Sequence, residues 1–196
     1  FIIVLGNTLD IGTPSDNTVS ASKLTNDIIS GQTELATEPA DTDEFLVSDA
    51  GTLKRIDYSL IKGSGKVLQV LTATDVTTRS TTSTSFVTAS NTLSINITPS
   101  ATSSKIFIQT SFEVLTNSGA RGFWTIYKDS TQLGDTNGMA SIDQSVDGGS
   151  VSMTFLDSPS STSQLTYAVY MKSNGTNCSM NANNTKASIV VMEIGA

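Results

Sequence analysis

The chain contains two parts with different patterns of apolar and polar positions. In the second part, residues 63–196, apolar residues recur at every second position in a series of short runs. In "KIFIQTSFEV", for example, Ile106, Ile108, Phe112 and Val114 share one face and most side chains on the other face are polar. Successive side chains of a strand point to opposite faces of a sheet, so this period predicts a half-buried β-strand.

Further runs in the second part alternate in the same way or have a short apolar centre. They are "KVLQVLTAT", "SFVT", "TLSINIT", "GFWTIYKD", "VSMTF", "QLTYAVYMK" and "KASIVVMEI". Together with the first run they make about eight short strands separated by turn residues, which is typical of an antiparallel β-sandwich or barrel. We therefore expect residues 63–196 to form one mainly β domain without a helix.

The first part, residues 1–62, is shorter and irregular. The opening "FIIVLG" indicates the last strand of something upstream. The spacing from Leu24 to Ile28 predicts one or two helical turns, with Ser20 or Ser22 as the N-cap. The later segment "DEFLVSDAGTLKRIDYSLI" predicts a small hairpin or a strand, turn and helix. Such short elements cannot bury enough surface alone, which predicts a connector that needs neighbours.

Charge separates the same two parts. Residues 1–62 hold ten of the 18 acidic side chains and four of the 11 basic ones, whereas residues 63–196 are almost neutral. The whole chain carries a net charge of −7. An acidic chain repels nucleic acid and anionic membrane surfaces, and no apolar run reaches the roughly 18 to 20 residues that span a bilayer. We expect neither nucleic acid nor membrane insertion.

Two counts argue against an enzyme. The chain has no histidine and one cysteine, which excludes Ser-His-Asp and Cys-His arrangements and the usual zinc ligand sets. Glu113 and Glu193 are the only glutamates after residue 62, and the strand pattern places both on outward faces, as surface groups rather than a glycosidase pair. Cys178 is expected to be a small buried hydrophobe. We predict no catalytic residues and no cofactor.

Four carboxylates precede the end of the first part: Asp41, Asp43, Glu44 and Asp49. Calcium takes oxygen ligands of this kind, so a calcium site is one interpretation. The segment lacks the regular ligand spacing and the final glutamate of a known calcium loop, which favours solvated turn acids that cap nearby backbone amides. The prediction is a joint between two parts of a longer protein, without a metal site.

Several strands are apolar on their second face as well. The residues concerned are Phe107, Trp124, Ile126, Tyr170, Val190, Met192 and Ile194. A sandwich that stood alone would expose these side chains, whereas copies packed around an axis would bury them. Self-association is the preferred interpretation, with Phe107, Trp124, Tyr170, Val190, Met192 and Ile194 as interface candidates. The alternative is extra core beneath long loops.

Five segments carry a resemblance to a known family. They are "TLDIGTPSDNTVSASKL", "ADTDEFLVSDAGTLKRIDYSLIKG", "GKVLQVL", "ITPSATSSKI" and the final "ASIVVMEIGA". These segments resemble parts of the fibre proteins of tailed bacteriophages, especially those of marine phages including cyanophages. The resemblance is most specific over residues 1–72. Residues 1–62 are nevertheless too short and irregular for the long repetitive shaft of many fibres.

The resemblance implies a fold and a function. It implies an upstream domain that attaches to other tail or head proteins of the virion, a trimeric connector, and a trimeric C-terminal sandwich of the jelly-roll, tumour-necrosis-factor-like kind. The expected function is host attachment by a homotrimeric fibre. This fibre is synthesised in the host cytoplasm and is then part of the virion. The alternative is a structural role as capsid decoration, head fibre or collar without a specific receptor.

Three polar segments are the expected contacts with a host surface glycan or outer-membrane protein: residues 116–122, 134–149 and 173–185. Arg121 is suited to a carboxylate or phosphate. The other candidates are suited to hydrogen bonds with hydroxyl groups, and they are Asn117, Asp135, Asn137, Asp143 and Asn174. The alternative is that all three segments are solvated connections.

Overall fold

The structure is a computed structural model, and it describes residues 27–63, 65–143 and 148–195. The chain divides into two compact units, residues 1–62 and residues 63–196, which we call unit 1 and unit 2. The predicted strand "FIIVLG" and the predicted helix start at Ser20 or Ser22 lie outside the described residues.

Unit 1 contains short elements in its described part. They are α1 (Asp27–Ser30), β1 (Glu44–Asp49), β2 (Thr52–Asp57) and α2 (Tyr58–Ile61). Strands β1 and β2 form an antiparallel hairpin whose two turn residues, Ala50 and Gly51, both have positive φ, as a tight hairpin turn requires. The predicted hairpin and the short helix after it are both present.

Unit 1 has little core of its own in the described residues. No side chain between residues 27 and 63 is buried. Ile29, Leu46, Leu53 and Leu60 are largely exposed to solvent. An arrangement of this kind exposes apolar surface that folding normally removes from water.

Unit 2 consists of strands in its described part. They are β3 (Val67–Asp75), β4 (Arg79–Thr81), β5 (Val87–Thr88), β6 (Ser94–Ile97), β7 (Lys105–Thr116), β8 (Arg121–Lys128), β9 (Thr131–Gln132), β10 (Ala140–Asp143), β11 (Gly149–Asp157), β12 (Leu165–Ser173), β13 (Cys178–Met180) and β14 (Ala187–Ile194). Within these described residues, no helix is long and apolar enough to cross a membrane, and the same holds for unit 1.

The strands form two antiparallel sheets. Sheet I has the order β3-β14-β7-β11, and β13 continues beside β7 and pairs with β4. Sheet II has the order β6-β12-β8-β10, with β5 beside β12 and β9 beside β8. In chain order the eight longer strands pass from one sheet to the other at each step except between β8 and β10, which are neighbours in sheet II, as in a jelly roll. The predicted antiparallel β-sandwich of jelly-roll type is thus confirmed.

The inward faces of both sheets form one apolar core. Its largest fully buried side chains include Trp124, Tyr167, Ile108 and Ile189. The predicted alternation of β7 is present, because Ile106, Ile108, Phe112 and Val114 are buried between exposed or half-buried neighbours. Cys178 lies in β13 within this core, and burial raises the pKa of its thiol to about 11, so it is the buried small hydrophobe that we expected.

Trp124 does not lie on an outward surface. It is fully buried in the core and contacts Phe112, with 6.1 Å between ring centroids. Ile126 is fully buried as well. The prediction of Trp124 as an interface residue is therefore corrected. The physical reason is the opposite phase of β8: Trp124 and Ile126 are its inward residues, and Phe123 and Thr125 face outward.

Glu193 also differs from the sequence-based prediction. It shares the inward face of β14 with Ile189 and Val191 and is fully buried rather than outward. Its carboxylate accepts hydrogen bonds from the Gln69 Nε2 at 2.6 Å, from the Ser100 backbone and hydroxyl at 2.6 Å each, and from the Ser104 hydroxyl at 2.7 Å. A buried charge with this many donors is compensated, so it stabilises the fold rather than disrupting it.

These donors affect acid stability. Burial alone would raise the pKa of Glu193, but the bonds from Ser100, Ser104 and Gln69 outweigh it and hold the pKa below the ordinary 4.5. A carboxylate with a lowered folded-state pKa stabilises the protein above its unfolded-state pKa. That contribution is lost as the pH falls through the folded-state value.

We predict that Glu193→Gln lowers the free energy of unfolding at neutral pH by about 3 kcal/mol, because the amide places a donor against other donors. The loss should shrink as the pH falls below 4.5. Urea titrations followed by the fluorescence of the single tryptophan would measure both effects. Glu113→Gln is the matched control and should cost less, because Glu113 is only half-buried. Equal losses in the two variants would contradict the prediction.

Candidate functional site

The two ends of the sandwich differ. We call the end with Val67, Lys105 and Ile194 the base end, and the end with Asn117, Arg121 and Asn174 the loop end. Strand β7 runs from one end to the other over 12 residues, which corresponds to roughly 36 Å. The structure brings several predicted contact residues together at the loop end.

Asn174 joins two of the predicted contact segments. Its side-chain oxygen accepts a hydrogen bond from the Arg121 backbone amide at 3.1 Å, and its Nδ2 donates to the Gly119 carbonyl at 3.0 Å. The Asn174 backbone amide also donates to the Arg121 carbonyl at 3.0 Å. The side chain and backbone of Asn174 therefore hold the start of β8 and the turn before it, so Asn174 acts as a positioning group.

Asn117 and Asp143 also lie at the loop end. Asn117 is exposed, and its backbone amide donates to the Asn177 carbonyl at 3.2 Å. Asp143 is the exposed last residue of β10 and lies opposite Arg121 in the pairing with β8. Both predicted residues thus lie at the loop end, and Asp143 lies beside the cation.

The segment 134–149 is not one loop, contrary to the prediction. Residues 133–139 run over the outer face of sheet II, residues 140–143 form β10, and residues 144–147 lie outside the described residues. The segment 173–185 likewise includes β13. The sequence concealed these strands because they are short and rich in small or polar residues.

We call residues 133–139 the strap. It is fixed to the two strand residues beneath it, since the Leu133 amide donates to the Ile126 carbonyl at 3.0 Å and the Met139 amide to the Trp124 carbonyl at 2.8 Å. Gly138 has φ of +79°, and an added Cβ would lie 2.5 Å from the Trp124 carbonyl oxygen. Close contact between strap and sheet thus depends on this glycine.

A row of cations and aromatic rings lies beside the strap on the outer face of sheet II. We call Arg121, Phe123, Lys172 and Phe86 the cation–aromatic row. The Arg121 guanidinium carbon lies 5.2 Å from the centre of the Phe123 ring, and the Lys172 Nζ lies 5.1 Å from the same centre. Lys172 Nζ is also 4.7 Å from the centre of the Phe86 ring. At these distances the rings attract both cations.

Lys172 connects this row to the strap. Its Nζ donates to the Thr136 carbonyl at 2.8 Å and to the Asn137 Oδ1 at 3.5 Å. Asn137 is therefore adjacent to the row. Asp135 lies further along, where its backbone pairs with Gly138 in a tight turn and its carboxylate accepts from the Thr136 amide at 2.7 Å.

Sequence reasoning missed Lys172, Phe123 and Phe86. Lys172 was the one basic residue in "QLTYAVYMK", and it stands directly before a predicted contact segment. Its pairing with Phe123 across β12 and β8 required the strand register, which the sequence pattern does not give. Phe86 precedes a strand of only two residues, Val87–Thr88.

Glu113 stabilises the loop end from sheet I. Its carboxylate accepts from the Asn183 Nδ2 at 2.7 Å and from the Thr185 hydroxyl at 3.0 Å. The bonds from Asn183, together with that from Thr185, hold the pKa of Glu113 below its ordinary value. Glu113 thus ties the turn before β14 to β7.

The four carboxylates considered as a calcium site each have a separate partner. Asp41 pairs with Lys62, Glu44 with Arg55 and Asp49 with Lys54, each at 2.5 Å. The Asp43 carboxylate accepts from the Ala40 amide at 2.9 Å, as expected of a turn acid. Across the described parts of both units, the acidic and sulfur-bearing side chains form no cluster that could hold a metal ion.

No known protein family matches the sequence, and no curated protein does either. Among solved structures, the chain is similar to that of infectious bursal disease virus Gx strain, at 13% identity and a TM-score of 0.38, with 76% of this chain and 40% of that chain covered. The chain is also similar to the VP2 subviral particle of the same virus, at 14% identity and a TM-score of 0.38, with 79% of this chain and 43% of that chain covered. The chain spans about two fifths of the length of these structures. The jelly-roll assignment rests on the strand order within the two sheets.

We predict that Gly138→Ala destabilises unit 2 by about 2 kcal/mol more than Gly119→Ala. Both glycines have positive φ, at +79° and +76°, so the backbone strain is matched. Only Gly138 has neighbours that a methyl group would meet, whereas nothing lies within 4 Å at Gly119. Urea denaturation of both variants measures the difference. Equal stability would show that the strap does not depend on its close approach to the sheet.

Proposed function

We propose that the protein is a homotrimeric virion fibre protein that attaches the particle to a host cell through unit 2. The observation that carries the proposal is the asymmetry of the sandwich. One sheet exposes apolar side chains near the base end, and the loop end gathers polar groups and two cations. The virus-particle structures named above are too distant, at TM-scores below 0.5, to contribute to this proposal.

The apolar side chains of sheet I lie in one continuous line. Strand register places Val70 opposite Met192, Met192 opposite Phe107, and Phe107 opposite Leu156. We call these four residues the apolar row. Val70 and Leu156 are 54% and 53% exposed, and Phe107 and Met192 are half-buried. A line of apolar side chains across all four strands of a sheet is costly to leave in water, so we propose that it faces other copies of the chain.

The remaining interface candidates fall into two groups. Val190 and Ile194 are half-buried and flank Met192 on the outward face of β14, so they belong to the proposed interface. Tyr170 lies on the outer face of sheet II, where its ring stacks on Tyr127 with 4.0 Å between centroids. We therefore narrow the proposed interface to the apolar row together with Val190 and Ile194 on sheet I. The exposed apolar residues of unit 1 support the same trimeric arrangement, since a connector without a core gains stability from other copies.

We assign attachment to the loop end because the base end contains the start of unit 2. The chain that precedes unit 2 would join other tail or head proteins, which leaves the loop end for the host. A host surface glycan or outer-membrane protein would meet Arg121 and its neighbours. The proposed mode of action is binding rather than catalysis. Glu193, one of the two glutamates considered for sugar hydrolysis, is buried and holds its four hydrogen bonds.

A structural role in capsid decoration, a head fibre or a collar is the second candidate. The observation that favours it is the internal bonding of the loop end, because Asn174 and Glu113 use their polar atoms to hold the loops together. Electron microscopy of particles labelled with an antibody to this chain would separate the two roles. Label at the tail tip supports attachment, and label at head vertices or the collar supports the structural role.

For the trimer, we predict that Met192→Asp converts the protein to monomers at micromolar concentration, because like charges would meet in an apolar interface. Ser152→Asp is the matched control. It places the same charge on the outer face of sheet I, at an exposed position nearer the loop end, and should leave the trimer intact. Light scattering measures the mass of each variant. A stable monomer before any substitution would refute the trimer.

For attachment, we predict that Arg121→Ala reduces adsorption of particles to host cells and leaves the melting temperature nearly unchanged, because the Arg121 side chain is exposed. Lys105→Ala removes the same charge at the base end and serves as the control. Shortening residues 134–149 is a poor test, since that segment includes the strap and β10. Normal adsorption of the Arg121 variant would place the contact elsewhere.

A further inference from the structure

The cation–aromatic row forms a positive site on an acidic protein. Arg121 and Lys172 are both held against Phe123, so their charges lie within about 10 Å of one another. Among the described residues, neither cation forms a salt bridge with a carboxylate. The chain as a whole carries a net charge of −7. Arg121 and Lys172 therefore form a local positive patch on an acidic chain.

The donors of these cations are only partly used. Arg121 presents five N–H donors, and among the described residues its guanidinium donates one long hydrogen bond of 3.4 Å, from a terminal nitrogen to the Ser141 hydroxyl beside the row. Lys172 uses its ammonium for the Thr136 carbonyl and the Asn137 amide oxygen, and both partners are neutral. Both cations retain their full charge for a ligand.

The surroundings of the row are rich in neutral polar groups. Ser141 and Asn137 contact the cations of the row, and both have exposed side chains that can exchange hydrogen bonds with hydroxyl groups. Phe86 adds a half-buried ring next to Lys172. This combination of one or two cations, amides, a hydroxyl and an aromatic edge suits a sugar ring that carries an anionic group.

We propose that the cation–aromatic row binds an acidic saccharide, with Arg121 contacting the carboxylate or phosphate group of the sugar and Lys172 contributing the second positive charge. The proposal rests on the host-attachment role and specifies the chemistry of the partner. A saccharide with widely spaced charges fits better than a dense polyanion, because the net negative charge of the chain opposes accumulation of many anionic groups. Asp143, opposite Arg121 on β10, is the acid that limits affinity.

Calorimetric titration of the full chain tests the proposal with three probes. They are an oligogalacturonate, a hexose phosphate and a neutral glucose oligosaccharide of the same length as the first. We expect the anionic probes to bind and the neutral one to bind much more weakly, and we expect binding to weaken with added salt. The stronger of the two anionic probes identifies carboxylate or phosphate as the group recognised. Binding of the neutral probe as tightly as the anionic ones would overturn the proposal.

Three substitutions locate the site. Arg121→Gln should weaken binding about tenfold through loss of a charge-assisted contact. Lys172→Gln should have a similar effect, because the amide keeps a donor for the Thr136 carbonyl while the charge is lost. Asp143→Asn should strengthen binding about threefold, since it removes the carboxylate opposite Arg121. Lys105→Gln is the control, with the same loss of charge at the base end, and should change nothing. Equal weakening by Lys105→Gln and Arg121→Gln would refute the site.

Parallel adsorption assays separate this proposal from the attachment role. If adsorption of particles depends on Arg121 but neither anionic probe binds, the acidic-saccharide assignment is wrong and attachment stands. If the probes bind in an Arg121-dependent way but adsorption is unchanged, the site is supported and its role in attachment is wrong.

Discussion

The packing of Trp124 between the two sheets is the interaction on which the rest of unit 2 depends. The indole is fully buried against Phe112, and a Cβ added at Gly122 would lie 2.2 Å from it. The backbone of the same residue accepts the Met139 amide and so anchors the strap. Strand β8 therefore contributes to the core, anchors the strap over sheet II and positions the cation–aromatic row.

Three acidic residues of unit 2, Glu193, Asp157 and Asp75, join separate segments of the chain through hydrogen bonds. Glu193 joins β14 to the segment before β7 at the base end, and Asp157 accepts from the Tyr167 hydroxyl at 2.6 Å and pairs with Lys128 at 2.9 Å. Asp75 binds the Ser90 hydroxyl, the Thr77 amide and Arg79. These bonds outweigh the effect of burial and hold the pKa of Asp75 well below its usual range. Charges placed in this way need compensating donors, and each has them.

The two outer faces of the sandwich differ in how far their apolar side chains are covered. On sheet II the strap and Phe86 cover the apolar side chains, so Phe123 is nearly buried although it points outward. On sheet I nothing in the described residues of unit 2 covers the apolar row. This difference is the reason for our proposal that copies of the chain associate through sheet I. It also supports the proposal that the loop end and the margin of sheet II, with Arg121 and Lys172, bind a partner of another kind.

The sequence by itself determined the fold class, the hairpin of unit 1 and most inward residues of β7, because a two-residue period follows directly from strand geometry. It also identified Arg121 as a cation at the loop end. It did not determine the phase of β8, where apolar residues stand on both faces, and Trp124 was therefore misplaced. It misplaced Glu193 because a charged residue is expected outside unless its donors are known. The donors to Glu193 come from residues 69, 100 and 104, which are distant in sequence. In the same way, Lys172 meets Phe123 only through the pairing of β12 with β8. Contacts between residues far apart in the chain are decided by tertiary packing, and local periodicity carries no information about them.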